Sequence, residues 1–358
     1  MTEESSDVLI VGGGPAGSSC ARALRREGLK VRILDQKRFP RDKVCAGWVT
    51  PSVWSALELK PKRYPHLLQP IRRFRVGLMH GPMYEFDYAE CVSYGIRRCE
   101  FDAWLLKQAD VTVSTPEKVG QVERIGAQWR INGRFTAPVV VGAGGHFCPI
   151  ARFMGARPGR GERAVHAQEA EFRIPDSWKA ELPIDGDRPE LYFCPDFRGY
   201  GWVFRKGDYL NIGLGRIDEP GLSSAVRRFV DWLIASGRLP AAPNADFRGH
   251  AYLLASTSKR DIVADGMLLI GDAAGLAHGL SGEGIRPAVE SGLLAAQTLL
   301  EANGDYRKAR LAGYVSAIER HLGRNRKRME PPAWLARLVF RLGPMTRRFI
   351  VEQGFLGA

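Results

Sequence analysis

Three glycines at fixed spacing, Gly12, Gly14 and Gly17, follow at once on the apolar run Val8-Leu9-Ile10-Val11. Strand, then G-x-G-x-x-G, then helix is the form of a dinucleotide-binding turn. Gly12 permits the tight turn, Gly14 lets a pyrophosphate approach the backbone, and Gly17 lets the helix pack closely on the strand. Pro15 and Ala16 lie between them. The helix expected over 18–27 aims its free N–H groups and positive dipole end at phosphate. A second apolar strand, 30–34, ends in Asp35, 18 residues beyond Gly17, where a carboxylate can accept from a ribose hydroxyl.

A second cluster stands about 260 residues further on. The buried strand Met267 to Ile270 delivers Gly271 and Asp272 to its carboxyl end, and a loop with Gly282, Gly284 and Ile285 opens a long helix to about residue 300. Asp272 can accept from a sugar-like hydroxyl, and the N–H groups at 282–285 form a positive helix end suited to a developing anion. Two such clusters fit one long cofactor held in two halves, which favours FAD over NAD.

Two further stretches carry candidates. The basic loop 38–48, rich in Gly and Pro, offers Arg41 to the pyrophosphate and brings Cys45, Ala46 and Gly47 alongside. In 199–213, Tyr200, Trp202, Phe204 and Lys206 share one face of a strand because side chains alternate. Spacing alone makes such an aromatic wall a core face more often than a pocket.

The elements that must position these residues follow from periodicity. Segment 71–91 alternates as strands, 93–107 reads as helical with Phe101, Trp104 and Leu105 on one face, and 111–122 and 128–135 read as strands with a hairpin turn at Asn132-Gly133. Segment 138–145 is a buried parallel strand, 163–257 is strand-rich, and 222–236 is a helix. The 358 residues, 45% hydrophobic and 25% charged, suit a two-domain globular protein. No signal peptide or spanning run is evident, so a cytoplasmic protein is expected. Six cysteines without a C-x-x-C pair suggest no metal site. A net charge of +13 fits an anionic membrane or substrate; without a supporting motif, nucleic acid is not expected.

The chain resembles the geranylgeranyl reductases, within the larger set similar to para-hydroxybenzoate hydroxylase. The carrying motifs are Gly12 to Gly17, Phe39-Pro40-Arg41-Asp42-Lys43-Val44-Cys45-Ala46-Gly47, Arg98 with Phe101-Asp102, Tyr200-x-Trp202-x-Phe204-x-Lys206-Gly207, and Gly271-Asp272-Ala273-Ala274-Gly275 with Gly282-Glu283-Gly284-Ile285. The resemblance implies pyrophosphate at Gly12, Gly14 and Gly17, adenosine ribose at Asp35, phosphate and ribityl contacts from Arg41 and Arg98, and ribityl binding by Asp272. It places Gly282, Gly284 and Ile285 at the pyrimidine edge of the flavin, and Tyr200, Trp202 and Phe204 around the substrate. Two departures stand out. Gly144-Gly145-His146 replaces an aspartate-glycine pair whose acid could steady an arginine, and His278-Gly279-Leu280-Ser281 precedes Gly282-Glu283-Gly284 without the usual proline.

The expected architecture is α/β: a Rossmann-type FAD-binding domain (1–70, 96–160 and 256–325) interleaved with an antiparallel β-sheet substrate domain (71–95 and 161–255), then a C-terminal helical segment (326–358). The expected activity is FAD-dependent reduction of a carbon–carbon double bond in an apolar, isoprenoid-like substrate. Cys45 is the catalytic candidate, against the equal alternative of a packed thiol; His278 and Glu283 are weaker ones. A monooxygenase (hydroxylase or epoxidase) and a flavin electron-transfer module without turnover are the competing readings. Halogenation is disfavoured, because Trp202 lacks a tryptophan two residues upstream and a following Ile-Pro. With no second dinucleotide turn, the electron donor is expected to be transiently bound NAD(P)H, or ferredoxin. Leu335, Leu338, Val339 and Leu342 on one helical face, behind the cluster Arg324, Arg326, Lys327 and Arg328, suggest either peripheral contact with the inner face of an anionic membrane or a helix capping the substrate domain.

Overall fold

The structure is a computed structural model and describes residues 3–158, 162, 164–217, 221–279, 281–323, 348 and 351–356. The expected C-terminal amphipathic helix, 332–342, lies outside the described residues.

Short apolar runs build the central sheet. Val8–Val11, Val139–Gly142 and Met267–Leu269 are buried at every position, as strands covered by helices on both faces must be. The sheet order is 263–264, 267–269, 139–142, 8–11, 31–34, 112–114, parallel except for the two-residue edge strand 263–264. Helices Pro15–Arg26 and Ile285–Ala302 begin beside it. The strands of this sheet that carry candidate residues therefore deliver them to one edge, where ligands of open α/β sheets bind. A four-stranded sheet packs alongside, and its Asn132-Gly133 turn has φ of 52° and 66°, the left-handed pair a tight hairpin needs.

The second large sheet has seven strands in the order 248–252, 165–173, 209–217, 199–206, 190–193, 73–78, 83–87. It is antiparallel apart from one parallel pair, 190–193 with 73–78. Alternation along Gly199–Lys206 sorts its two faces. Val203 joins Leu210, Ile212 and Leu214 under helix Leu222–Ala235, whereas Trp202 and Phe204 join an aromatic cluster on the other side.

One expected boundary is corrected. Ser93–Ile96 is a strand, paired with Leu68–Ile71 and Trp48–Val49, and the helix begins only at Arg98 and runs to Gln108. The helical period is real from Phe101 onward, and it draws four β-paired residues into one reading with it. Among the described residues, no helix is long and apolar enough to cross a membrane.

Candidate active site

One cavity of about 710 Å³ runs from the first glycine turn to the aromatic face of the seven-stranded sheet. That is the size of a cofactor-plus-substrate site. Gly12, Gly14, Pro15, Ala16 and Asp35 line its first end. The glycines there differ in what each makes room for. A Cβ on Gly17 would collide with the Gly12 carbonyl, so Gly17 serves the packing of helix on turn and does not line the cavity. A Cβ on Gly14 would meet only Arg41 Nη2 at 3.4 Å, so the space it leaves is cavity. Asp35 is buried; its Oδ2 accepts the Gly13 N–H at 2.8 Å and its Oδ1 the Lys37 N–H at 2.9 Å, which fixes the turn and leaves lone pairs for a ribose.

Cations gather behind this turn. Arg98, buried, donates from Nε and Nη2 to the two oxygens of fully buried Asp102 at 2.7 and 2.8 Å, and Arg41 Nη1 stands 3.3 Å from the same carboxylate. Burial by itself would lower the Arg98 pKa, but Asp102 and the neighbouring Cys45 outweigh it and hold the guanidinium charged. Lys43 Nζ lies 2.8 Å from His250 Nε2, which lies 3.2 Å from Asp272 Oδ2. A single ring nitrogen cannot accept from Lys43 and donate to Asp272 at once, so protonation of the three is coupled. Burial would raise Asp272, yet His250, Lys43 and Arg98 bring it down to about 2. Burial brings Lys43 down to about 8 despite Asp272. Backbone N–H groups at the glycine turn, with Arg41, Arg98 and Lys43 lining the same cavity, suit a pyrophosphate dianion.

At the other end, Trp48, Tyr200, Trp202, Phe204 and Phe355 line the same cavity, and Tyr200 donates its hydroxyl hydrogen to the Ser281 carbonyl. Trp202 and Phe204 are both pocket wall and core, being 6% and 3% exposed. Cys45 and Ala46 line the space between the two ends. Gly47 does not: its φ is +73°, and a Cβ there would press on the Ile96 carbonyl and Lys206 Nζ. Lys206 is buried under this loop, donating to the Ala46 and Ile96 carbonyls at 3.0 and 3.1 Å and pairing with Glu171. Glu169 accepts the Cys45 N–H and the Asn211 Nδ2 hydrogen, and Asn211 Oδ1 accepts the Trp202 indole N–H at 2.7 Å. One buried chain of hydrogen bonds thus ties the cysteine loop to the aromatic wall.

The second glycine cluster closes the cavity from above. Gly282, Gly284 and Ile285 line it; Gly271 lies behind, its N–H donated to Ser291 Oγ. Glu283 also lines it, with Oε1 buried and unpartnered and Oε2 3.7 Å from Arg286 Nε. Burial, only partly offset by Arg286, raises its carboxyl from 4.5 to about 7. The folded chain therefore keeps this proton where the unfolded chain has lost it. The resulting stability is complete below about pH 4.5 and falls away as pH rises through about 7, by roughly 3 kcal/mol. His146, which burial and Arg260 bring down to about 4, slopes the opposite way between about 4 and its usual 6.5. The difference isolates the glutamate: stability of the unmodified protein minus that of Glu283→Gln should decline from pH 4.5 to 7 in urea titrations. A flat difference would refute the buried-carboxyl assignment.

Three features lay beyond the sequence reading. Arg260, buried beside His146, is held by Glu162 at 2.6 and 2.7 Å. Lys43 and His250 meet across the fold. Glu169 had a signal, since it shares an inward-facing alternation with Val165, Ala167 and Glu171, two acids where apolar residues belong.

Comparison with known proteins agrees with this geometry. Residues 7–104 match the family described as FAD dependent oxidoreductase. The chain is 27% identical over 313 residues to a digeranylgeranylglycerophospholipid reductase of Methanocaldococcus jannaschii, covering 83% of this chain and 77% of that one. Its fold superposes on a geranylgeranyl bacteriochlorophyll reductase-like protein from Thermoplasma acidophilum with a TM-score of 0.78 at 21% identity, covering 99% and 97% of the two chains. It also superposes on PqsL, a probable FAD-dependent monooxygenase from Pseudomonas aeruginosa, with a TM-score of 0.65 at 20% identity, covering 99% of each. These two structural likenesses bear on the fold alone. Fold, cavity and family match together define an FAD-dependent oxidoreductase. Within that class, the proteins it is similar to in sequence include ones named digeranylgeranylglycerophospholipid reductase and geranylgeranyl diphosphate reductase.

Proposed function

We propose that the protein reduces a carbon–carbon double bond in an isoprenoid-like lipid chain, with FAD as its resident cofactor. One observation carries the reading: a single cavity joins a phosphate-binding end to an end walled by Trp48, Tyr200, Trp202 and Phe204. A charged dinucleotide and an apolar chain would meet there out of water. The relatives named as reductases of geranylgeranyl lipids support the same substrate class. FAD, when bound and reduced, supplies the hydride chemistry.

The chain's own residues do the rest. Gly12, Gly14, Pro15 and Ala16 cradle the pyrophosphate, with Gly17 letting the helix pack close behind them, Asp35 holds the ribose, and Arg41 and Arg98 neutralise charge. Asp272 takes a ribityl hydroxyl, and the N–H groups at Gly282, Gly284 and Ile285 favour negative charge on the ring edge. Ala46 shapes the approach, and Gly47 lets its loop turn tightly against Ile96 and Lys206. Tyr200, Trp202 and Phe204 hold the chain and exclude water, and Cys45 passes a proton to the second carbon. The electron donor is NAD(P)H bound transiently, or ferredoxin. The enzyme works in the cytoplasm, against the inner face of a membrane where its lipid lies.

The test is anaerobic. Chemically reduced protein mixed with polyprenyl lipids should yield product heavier by two hydrogens as the flavin reoxidises. Trp202→Ala should slow this about tenfold through lost positioning, and Trp202→Phe less. Product that forms only with oxygen, heavier by one oxygen atom, would replace this reading with the monooxygenase.

A further inference from the structure

One side chain of the aromatic wall belongs to none of the sheets that hold the others. Phe355 sits in the helical turn Glu352–Leu356, yet lines the cavity beside Trp48, Tyr200, Trp202 and Phe204. Its ring stacks on Trp48 at 5.4 Å and 22°, meets Tyr200 edge-on at 5.4 Å and Phe193 edge-on at 6.4 Å. It is 4% exposed, and Val351, one turn earlier, is fully buried in the same cluster. These contacts all lie on the aromatic side, so the Phe355 ring closes the apolar end of the cavity.

We propose that Phe355 sets the length of apolar chain the cavity accepts, an inference that rests on the lipid-chain reading above. Tyr200, Trp202 and Phe204 cannot play this part, because their strand is hydrogen-bonded on both sides and their spacing is fixed. Among the described residues, the turn bearing Phe355 is held by side-chain contacts instead. Arg348 Nε pairs with Glu352 at 2.8 Å on the surface and lies over the Tyr88 ring at 4.9 Å. Such ties are weak, so this is the part of the wall that can change at least cost to the rest. A benzyl group has about the bulk of one isoprene unit. Taking it away leaves an apolar extension already lined by Trp48 and Phe193, and each methylene buried there tightens binding about fourfold.

The experiment is a calorimetric titration of the FAD-loaded protein with geraniol, farnesol and geranylgeraniol. Affinity in the unmodified protein should rise with length and then level off. Phe355→Ala should move the plateau one unit longer, strengthening the next alcohol at least about tenfold, and Phe355→Trp should move it one unit shorter. Near-UV dichroism and one FAD per chain certify each variant, and Phe355→Trp decides alone if the alanine chain does not fold. An identical length dependence in all three proteins would overturn the inference and leave the lipid reading standing. No binding of any alcohol by any of them would overturn both.

Discussion

A Gly14→Val chain is expected to fold normally and to lose its flavin. Gly14 has φ of −74° and ψ of −174°, extended backbone that a β-branched residue adopts readily, so strain is not the reason for glycine here. Nor is crowding within the protein, since an added Cβ would meet only the flexible end of Arg41 at 3.4 Å. What the missing side chain preserves is cavity space that the proposed pyrophosphate would occupy. Two branched methyl groups would fill that space, and FAD affinity should fall at least about a hundredfold while the flavin-free proteins melt at the same temperature. Gly17→Val makes the opposite pattern. Its Cβ lands on the Gly12 carbonyl, so it should cost about 3 kcal/mol or more of fold stability whether or not flavin is present. Flavin absorbance per chain and thermal unfolding of both variants separate the two. Stoichiometric FAD in Gly14→Val at normal stability would remove the turn from the cofactor site.

The contrast shows which parts of the site could be read from sequence. Both glycine clusters were legible because strand, turn and helix are consecutive, and the role of each glycine follows from its place in a local motif. The Arg98–Asp102 pair was within reach for the same reason, being one helical turn apart. Tyr200, Trp202 and Phe204 were legible as a face but not as a pocket. Both faces of their strand are largely buried, and only the packing of helix Leu222–Ala235 on the Val203 side decides which one is left to the cavity. Lys43 and His250, 207 residues apart, meet only because two sheets converge. Phe355 is further removed, since the short stretch Val351-Glu352-Gln353-Gly354-Phe355-Leu356 is too brief to show a period or to name its partners. The misplaced boundary at Ser93–Ile96 has a related cause: a four-residue strand pairs with partners distant in sequence, while the helix beside it announces itself locally.

The largest stability effect should come from a carboxylate that touches no ligand. Asp102 is fully buried and is shared between Arg98, which binds it through two hydrogen bonds, and Arg41, 3.3 Å away. Asp102→Ala would leave the buried Arg98 guanidinium without its counter-charge, a loss of about 3–5 kcal/mol, and would free both arginines from the positions they hold at the cavity. Asp102→Asn should cost less, because one amide oxygen still accepts while the charge is gone. A third chain tells stability from binding. Replacing both partners, Arg98→Met with Asp102→Leu, removes charge and counter-charge together and should recover most of the stability lost in Asp102→Ala. It should not recover FAD, since a cation facing the phosphate end is gone and Arg41 has lost its anchor. Urea unfolding and flavin titration on the three variants give both readouts. If Asp102→Ala lost less than about 1 kcal/mol, the pair would be as weak as a surface ion pair, and its place beneath the cofactor would have to be abandoned.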